Sequence, residues 1–234
     1  MIFTPLASSS HGNAYIVSDD RTRLLLECGV SYKQLKRLCG FDLSGVSGCL
    51  VSHEHKDHSR CAAELLRDGV RVYMSFGTAE ALEAEEAELL TDREQVTVGT
   101  MDVVPFRTFH DAREPMGFLI QSRVDGDILA FATDTCNLGY RFPGVTILAL
   151  EANYDPEILA RCQRMPDKVR HRIVNSHMSI DTLCGYLREL DLSGCRELWL
   201  LHLSDATSHE GHFINKVSRL VPKSCRVLAA PREV

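Results

Sequence analysis

Val51-Ser52-His53-Glu54-His55-Lys56-Asp57-His58-Ser59 places three imidazoles and an aspartate within six residues, directly after the apolar run Gly48-Cys49-Leu50-Val51. Neutral imidazole nitrogens with a carboxylate oxygen suit Zn²⁺, Mn²⁺ or Fe²⁺. The run supplies more ligands than one catalytic ion takes from one segment, so two ions are expected. In an extended or looping backbone His53 and His55 project to the same side, and Asp57 and His58 lie beyond them, placed for a neighbouring ion. The zincin pattern His-Glu-x-x-His is not met, because position 57 is Asp. A polar surface loop with chance histidines is the bland alternative. The position at the end of a buried-looking strand, where sites are built, speaks against it.

Upstream of this run, residues 2–7 and 13–18 read as strands around the small-residue turn Ala7-Ser8-Ser9-Ser10-His11-Gly12-Asn13, and Arg23-Leu24-Leu25-Leu26-Glu27 reads as a third strand of an antiparallel meander. Residues 31–39 have helical spacing. Downstream, residues 60–68 read as a helix, 70–74 as a strand and 78–90 as an acidic helix with a solvated face. Strands at 95–98 and 101–107 lead to His110. A hairpin from Gly117 through the turn Asp125-Gly126-Asp127 leads to Asp134. Taken alone, His110 is a satisfied histidine and Asp134 a turn carboxylate. The continuous apolar run Val145-Thr146-Ile147-Leu148-Ala149-Leu150 is a buried strand ending at Glu151. Arg161, Arg164, Lys168, Arg170, His171 and Arg172 form the one basic concentration, read as a solvated face or as a phosphate-contacting rim. Ser176-His177-Met178-Ser179 precedes a helix that Ser179 or Asp181 caps. The strand from Glu197 delivers His202, and a helix (210–220) and a strand (225–229) follow. His209 and His212 read as surface residues, and His11 as a solvated turn residue or a contact at the substrate rim.

A length of 234 residues fits one domain, 1–234, with a sizeable core. No apolar run approaches the roughly 20 residues of a membrane span, and a cytoplasmic protein is the default. Nine cysteines, odd in number and never in a Cys-x-x-Cys pair, favour free thiols in a reducing compartment. The formal charge of −6 argues against broad non-specific nucleic-acid binding but allows a local basic patch.

His53-x-His55-x-Asp57-His58 resembles the signature of the metallo-β-lactamase fold, a superfamily of binuclear hydrolases of esters, lactams, thioesters and phosphodiesters. The fold expected is α/β, a four-layer αβ/βα sandwich with the histidine loops at one edge between the sheets. The resemblance implies that His53, His55 and His110 hold one divalent ion, that Asp57, His58 and His202 hold the other, and that Asp134 bridges them. It further implies a metal-bridging hydroxide as nucleophile, with Asp57 orienting it. Leu150-Glu151-Ala152-Asn153 and Ser176-His177-Met178-Ser179 resemble the Glu- and His-bearing motifs of ribonuclease Z, so His177 would donate a proton to the leaving oxygen and Glu151 would orient it.

The opening turn, His110-Asp111-Ala112, Thr133-Asp134-Thr135, residues 151–155 and His202-Leu203-Ser204 resemble the YycJ/WalJ-type branch, which implies a DNA exonuclease with 5′-to-3′ polarity. Two departures stand out: His11 where a small residue is expected, and Glu27-Cys28-Gly29 where Asp-x-Gly is. Only 16 residues separate Asp134 from Glu151, which leaves no room for the β-CASP domain of larger nucleases or the tRNA-gripping arm of ribonuclease Z. The partner expected is therefore nucleic acid, DNA ahead of RNA, with no membrane. Two alternatives stay open: a small-molecule phosphodiesterase resembling the phosphoribosyl cyclic phosphodiesterase branch, and a non-catalytic metal-binding regulatory module.

Overall fold

Strand residues of alternating allegiance explain why two sheets stack. In the computed structural model, which describes residues 1–163 and 165–232, β1 (Ile2–Ser9), β2 (Gly12–Ser18) and β3 (Arg23–Leu26) form the expected antiparallel meander. Helix α1 (Tyr32–Leu38) then crosses to β4 (Gly48–Leu50), which pairs parallel to β3. Helices α2 (Lys56–Ser59) and α3 (Ala62–Arg67) lead to β5 (Val72–Ser75), and α4 (Phe76–Leu82) leads to β6 (Glu88–Leu90), both strands parallel. The first sheet thus runs β1-β2-β3-β4-β5-β6.

The second sheet repeats the plan. An antiparallel run of β7 (Val96–Val98), β8 (Met101–Arg107), β9 (Met116–Ser122) and β10 (Ile128–Ala132) gives way to parallel β11 (Ile147–Glu151). Helices α5 (Pro156–Arg161), α6 (Asp167–Ser176) and α7 (Ile180–Leu187) precede β12 (Glu197–Leu201), and α8 (Glu210–Ser218) precedes β13 (Arg226–Ala229), both parallel. This is the four-layer αβ/βα sandwich.

Odd and even residues of the central strands serve different cores. Ile147 and Ala149 of β11 join Phe3, Tyr15, Leu24, Leu26, Phe118 and Phe131 between the sheets. Leu148 and Leu150 turn outward to α7, where Leu183 and Leu187 cover them. In the first half, Leu25, Cys49 and Val51 pack outward on α1 and α3 through Leu35 and Leu65. A strand covered on both faces reads as an unbroken apolar run, as β11 does.

The acidic stretch 78–90 is not one helix. Helix α4 stops at Leu82, Glu83 takes a left-handed backbone (φ 52°), and Glu88–Leu90 becomes the parallel edge strand β6. Leu90 is buried between the sheets, so β pairing plus burial overrides a high local helix propensity. The turn at 7–13 is also tighter than expected, with Ser8 opposite Asn13 and Ser9 opposite Gly12. All nine cysteines are free thiols, as expected. Among the described residues no helix is long and apolar enough to cross a membrane.

Candidate metal centre

Each site residue sits where a strand ends or a helix begins. Strand β4 stops at Leu50, and the chain continues through Ser52 and His53 into α2, whose first turn carries Asp57 and His58. His110 follows β8, Asp134 follows β10, Glu151 ends β11, His177 caps α6 at its C-terminus and His202 follows β12. The structure therefore brings together every expected site residue, at one edge between the sheets.

The first group is made of three imidazoles. His110 Nδ1 lies 2.8 Å from the Ser176 carbonyl oxygen, which can only accept, so the proton is on Nδ1 and the Nε2 lone pair faces inward. Ser52 Oγ lies 2.8 Å from His53 Nδ1 and leaves His53 Nε2 for the site. Both Nε2 atoms are 3.1 Å from His55 Nδ1. Nitrogens around a tetrahedral ion with Zn–N of 2.0–2.1 Å are separated by about 3.3 Å, so the three converge as a metal's ligands do. Burial lowers the pKa of His53 and His110, keeping them neutral and able to ligate.

The second group is Asp57, His58, Asp134 and His202. His58 Nε2 is 3.4 Å from both Asp57 Oδ2 and Asp134 Oδ2, and His202 Nε2 is 3.6 Å from Asp57 Oδ2. Asp134 also reaches the first group, with Oδ2 3.5 Å from His110 Nε2 and 4.0 Å from His53 Nε2. Burial opposes the charged form of His58 and His202, but Asp134, Glu27 and Asp57 at the one, and Asp134, Asp57 and Glu151 at the other, raise both, His202 to about 10. A pocket with this surplus of carboxylate favours positive charge. His202 Nε2, which faces Asp57, is buried without a hydrogen-bond partner, a cost that a cation in the pocket offsets. By donor type and spacing the cluster suits divalent metal ions.

Glu151 is fully buried. Its Oε2 accepts from the backbone N–H groups of Thr135 (2.8 Å) and Met178 (3.1 Å), and its Oε1 lies 2.6 Å from His177 Nδ1 and 3.3 Å from His202 Nδ1. Burial raises its pKa, but His177 and these bonds outweigh that and hold it lowered, as a carboxylate. The His177 side chain stays 13% exposed. Together with Arg172, Val169 and Ile173 of α6 it lines a mouth of about 360 Å³ over the ligand cluster.

Sequence reading missed the residues that hold these side chains. Asn13 donates to the Asp57 carbonyl (3.1 Å) and lies 3.2 Å from His58 Nε2; Asn153 donates to the His202 carbonyl (2.9 Å); Ser8 Oγ accepts from His202 N–H (2.8 Å). The only signal available was an Asn just past a tight turn or a strand end. Glu27, at the departure from Asp-x-Gly, accepts from Ser52 N–H (3.3 Å) and sits 3.6 Å from His58 Nδ1, so its longer side chain does reach under the loop. Glu27, Asp134 and His202 all have positive φ (62°, 46° and 53°), a backbone region costly for L-residues and found at functional sites. The basic stretch is largely engaged: Arg161 pairs with Glu157, Arg170 donates to the Leu159 and Cys162 carbonyls, and Arg172 pairs with Asp111. Arg164 lies outside the described residues.

A family model described as the beta-lactamase superfamily domain matches residues 22–203. This chain belongs to the β-lactamase superfamily. Among superfamily relatives, an exodeoxyribonuclease YycJ of Bacillus anthracis is 31% identical over 219 residues, covering 86% of this chain and 82% of the relative. An exodeoxyribonuclease WalJ of Streptococcus pneumoniae is 28% identical over 225 residues, covering 86% and 81%. Among solved structures, the metallo-β-lactamase fold protein YhfI of Bacillus subtilis superposes with a TM-score of 0.75 at 15% identity, over 99% of this chain and 97% of that one. The fold is thus that of the metallo-β-lactamase hydrolases, and the protein is a hydrolase of this superfamily.

Proposed function

We propose that this protein is a binuclear metal-dependent phosphodiesterase, a DNA exonuclease working 5′ to 3′, with the whole chain as one domain in the cytoplasm. The observation that carries the reading is the His177–Glu151 pair. Glu151 fixes Nδ1 at 2.6 Å and leaves His177 Nε2 without a partner among the described residues, at the rim of the mouth beside both ligand groups. Two divalent ions, Zn²⁺ or Mn²⁺ with Fe²⁺ admissible, held by His53, His55 and His110 and by Asp57, His58 and His202 with Asp134 between, would supply Lewis-acid activation of water and neutralise charge on the phosphoryl oxygens. Asp57, a quarter exposed toward the mouth, would orient the attacking water.

Breaking the P–O bond expels an alkoxide, which needs a proton. Burial disfavours the charged His177 ring, but the Glu151 carboxylate outweighs this and raises its pKa, so Nε2 carries that proton near neutrality. The proton passes from Nε2 to the leaving oxygen as the bond breaks, Glu151 steadies the ring, and solvent at the mouth restores the proton. DNA as substrate is supported by the two relatives named exodeoxyribonucleases, and the polarity is the expectation carried by the sequence resemblance. The single domain is supported by a core drawn from both sheets, and the reducing compartment by nine free thiols.

The test is end-labelled DNA and RNA incubated with Mn²⁺ or Zn²⁺. Wild type should shorten DNA from its 5′ end, Asp134→Asn should not, and His177→Ala should keep both metals by elemental analysis while losing about 10²- to 10⁴-fold in turnover. Loss of metal from His177→Ala would make His177 a ligand, and the third possible ligand group, Asp134, Glu151, His177 and His202, would replace the grouping of His202 with Asp57 and His58. A second reading, a small or cyclic phosphodiester, draws on the narrowness of the mouth, walled by Val169 and Ile173 of α6. It predicts turnover that is insensitive to salt, whereas a nuclease binding several phosphates is strongly salt-dependent.

A further inference from the structure

A second hollow, of about 910 Å³, opens beside the mouth and shares Ser10, Lys56 and Asp57 with it. It runs along α2 between the β1–β2 turn and the C-terminal segment, past His11, Gln34 and Arg60. We propose that this groove is the track of a polynucleotide strand, in which Lys56 and Arg60 receive the phosphates flanking the one being cleaved. The proposal rests on the nuclease reading and deepens it.

Three observations support it. First, Lys56 and Arg60 have no ion-pair partner among the described residues, whereas Arg172, on the α6 wall of the mouth, is tied to Asp111. The free cations next to the cleavage point therefore lie on the groove side. Second, Lys56 and Arg60 are four residues apart on one short helix and its cap, so they share a face and are offset by about 6 Å along it, of the order of one phosphate-to-phosphate step. Third, carboxylates outnumber cations just beyond Arg60, where Glu83, Glu85 and Glu86 line the next hollow together with Arg67. That excess of carboxylates disfavours phosphates past Arg60, which ends the track near it. His11 and Gln34 add side chains that can donate to phosphate or sugar oxygens. Arg232 also borders the groove but is held by Asp205 and Ser208. A small diester would fill the mouth and leave the groove unused.

The experiment measures KM and its salt dependence for Arg60→Ala and wild type on DNA and RNA oligonucleotides and on bis(p-nitrophenyl) phosphate. The oligonucleotide KM should rise about 5- to 10-fold relative to that of the small diester. Its log–log salt slope should fall by about 0.7 to 1, the share of one phosphate contact. DNA and RNA should respond alike, because the contacts are to the backbone, and Arg60→Lys should recover most of the effect. An unchanged ratio and slope would overturn the groove, as would a parallel rise for the small diester. Wild type that hydrolyses the small diester but no oligonucleotide would overturn the nuclease reading itself, an outcome visible before any variant is made.

Discussion

Gly29 shows how closely the metal loop is fitted to its support. A Cβ built on it would lie 1.6 Å from the Asp57 carbonyl oxygen and 2.6 Å from the His58 nitrogen. The segment is pinned on both sides, because Cys28 N–H donates to the His58 carbonyl (2.8 Å) and Gly29 N–H to the Asn13 carbonyl (2.9 Å). Gly29→Ala must therefore displace the segment that carries Asp57 and His58. We expect metal affinity about 10- to 100-fold weaker by titration into metal-free protein, in line with the loss of supporting contacts around other metal ligands. Unaltered affinity would mean that the loop has slack. At this scale the clustered candidate ligands were legible in the sequence because four of them sit in six consecutive residues and the rest end strands. Asn13, Ser8 and Asn153 were not, because their partners lie 44, 194 and 49 residues away in the chain and nothing local marks such a pairing.

Elements were legible where one force dominated. Helix α1 begins at Ser31 with a reciprocal bond to Gln34, a local device, and β11 was plain from its unbroken apolar run. The stretch 78–90 was misread because Glu and Ala favour helix, while the outcome depended on whether β5 offered an edge. Helix α7 offers a test at this scale. Ser179 Oγ accepts from Thr182 N–H at 3.0 Å, two residues beyond His177. Ser179→Ala should cost about 1 kcal/mol in urea unfolding and lower turnover several-fold with metal content intact, since the cap also fixes the loop that carries the proposed proton donor, His177. A stability loss with wild-type turnover would separate the cap from the chemistry.

The whole molecule is closed by charge as well as by core. Asp127, in the β9–β10 turn, accepts from Arg196 (2.6 Å) ahead of β12 and from the Met1 ammonium (2.7 Å), tying three remote segments together. Burial opposes its ionisation, but these bonds prevail and lower its pKa from 3.8 to about 2. A group with a depressed folded pKa stabilises fully above its unfolded pKa and loses that contribution as pH falls through the folded one. Asp127→Asn should therefore be about 1 kcal/mol less stable than wild type at pH 7, a figure reduced by partial exposure. Urea titrations at pH 7, 4 and 3 should show the gap narrowing only below about pH 4. A gap independent of pH would assign the effect to packing.

The core shared by the two sheets also has a meaning in time. A ribosome releases β1 to β6 before any strand of the second sheet exists, so Phe3, Leu24, Leu26 and Leu50 emerge with one side bare. The loop bearing His53 to His58 is likewise complete well before His110, Asp134 and His202 have been made. For much of its synthesis the nascent chain is thus an open sheet with an apolar face, the kind of species that aggregates or occupies a chaperone. Its candidate metal ligands become a full set only when the last strands arrive to cover that face.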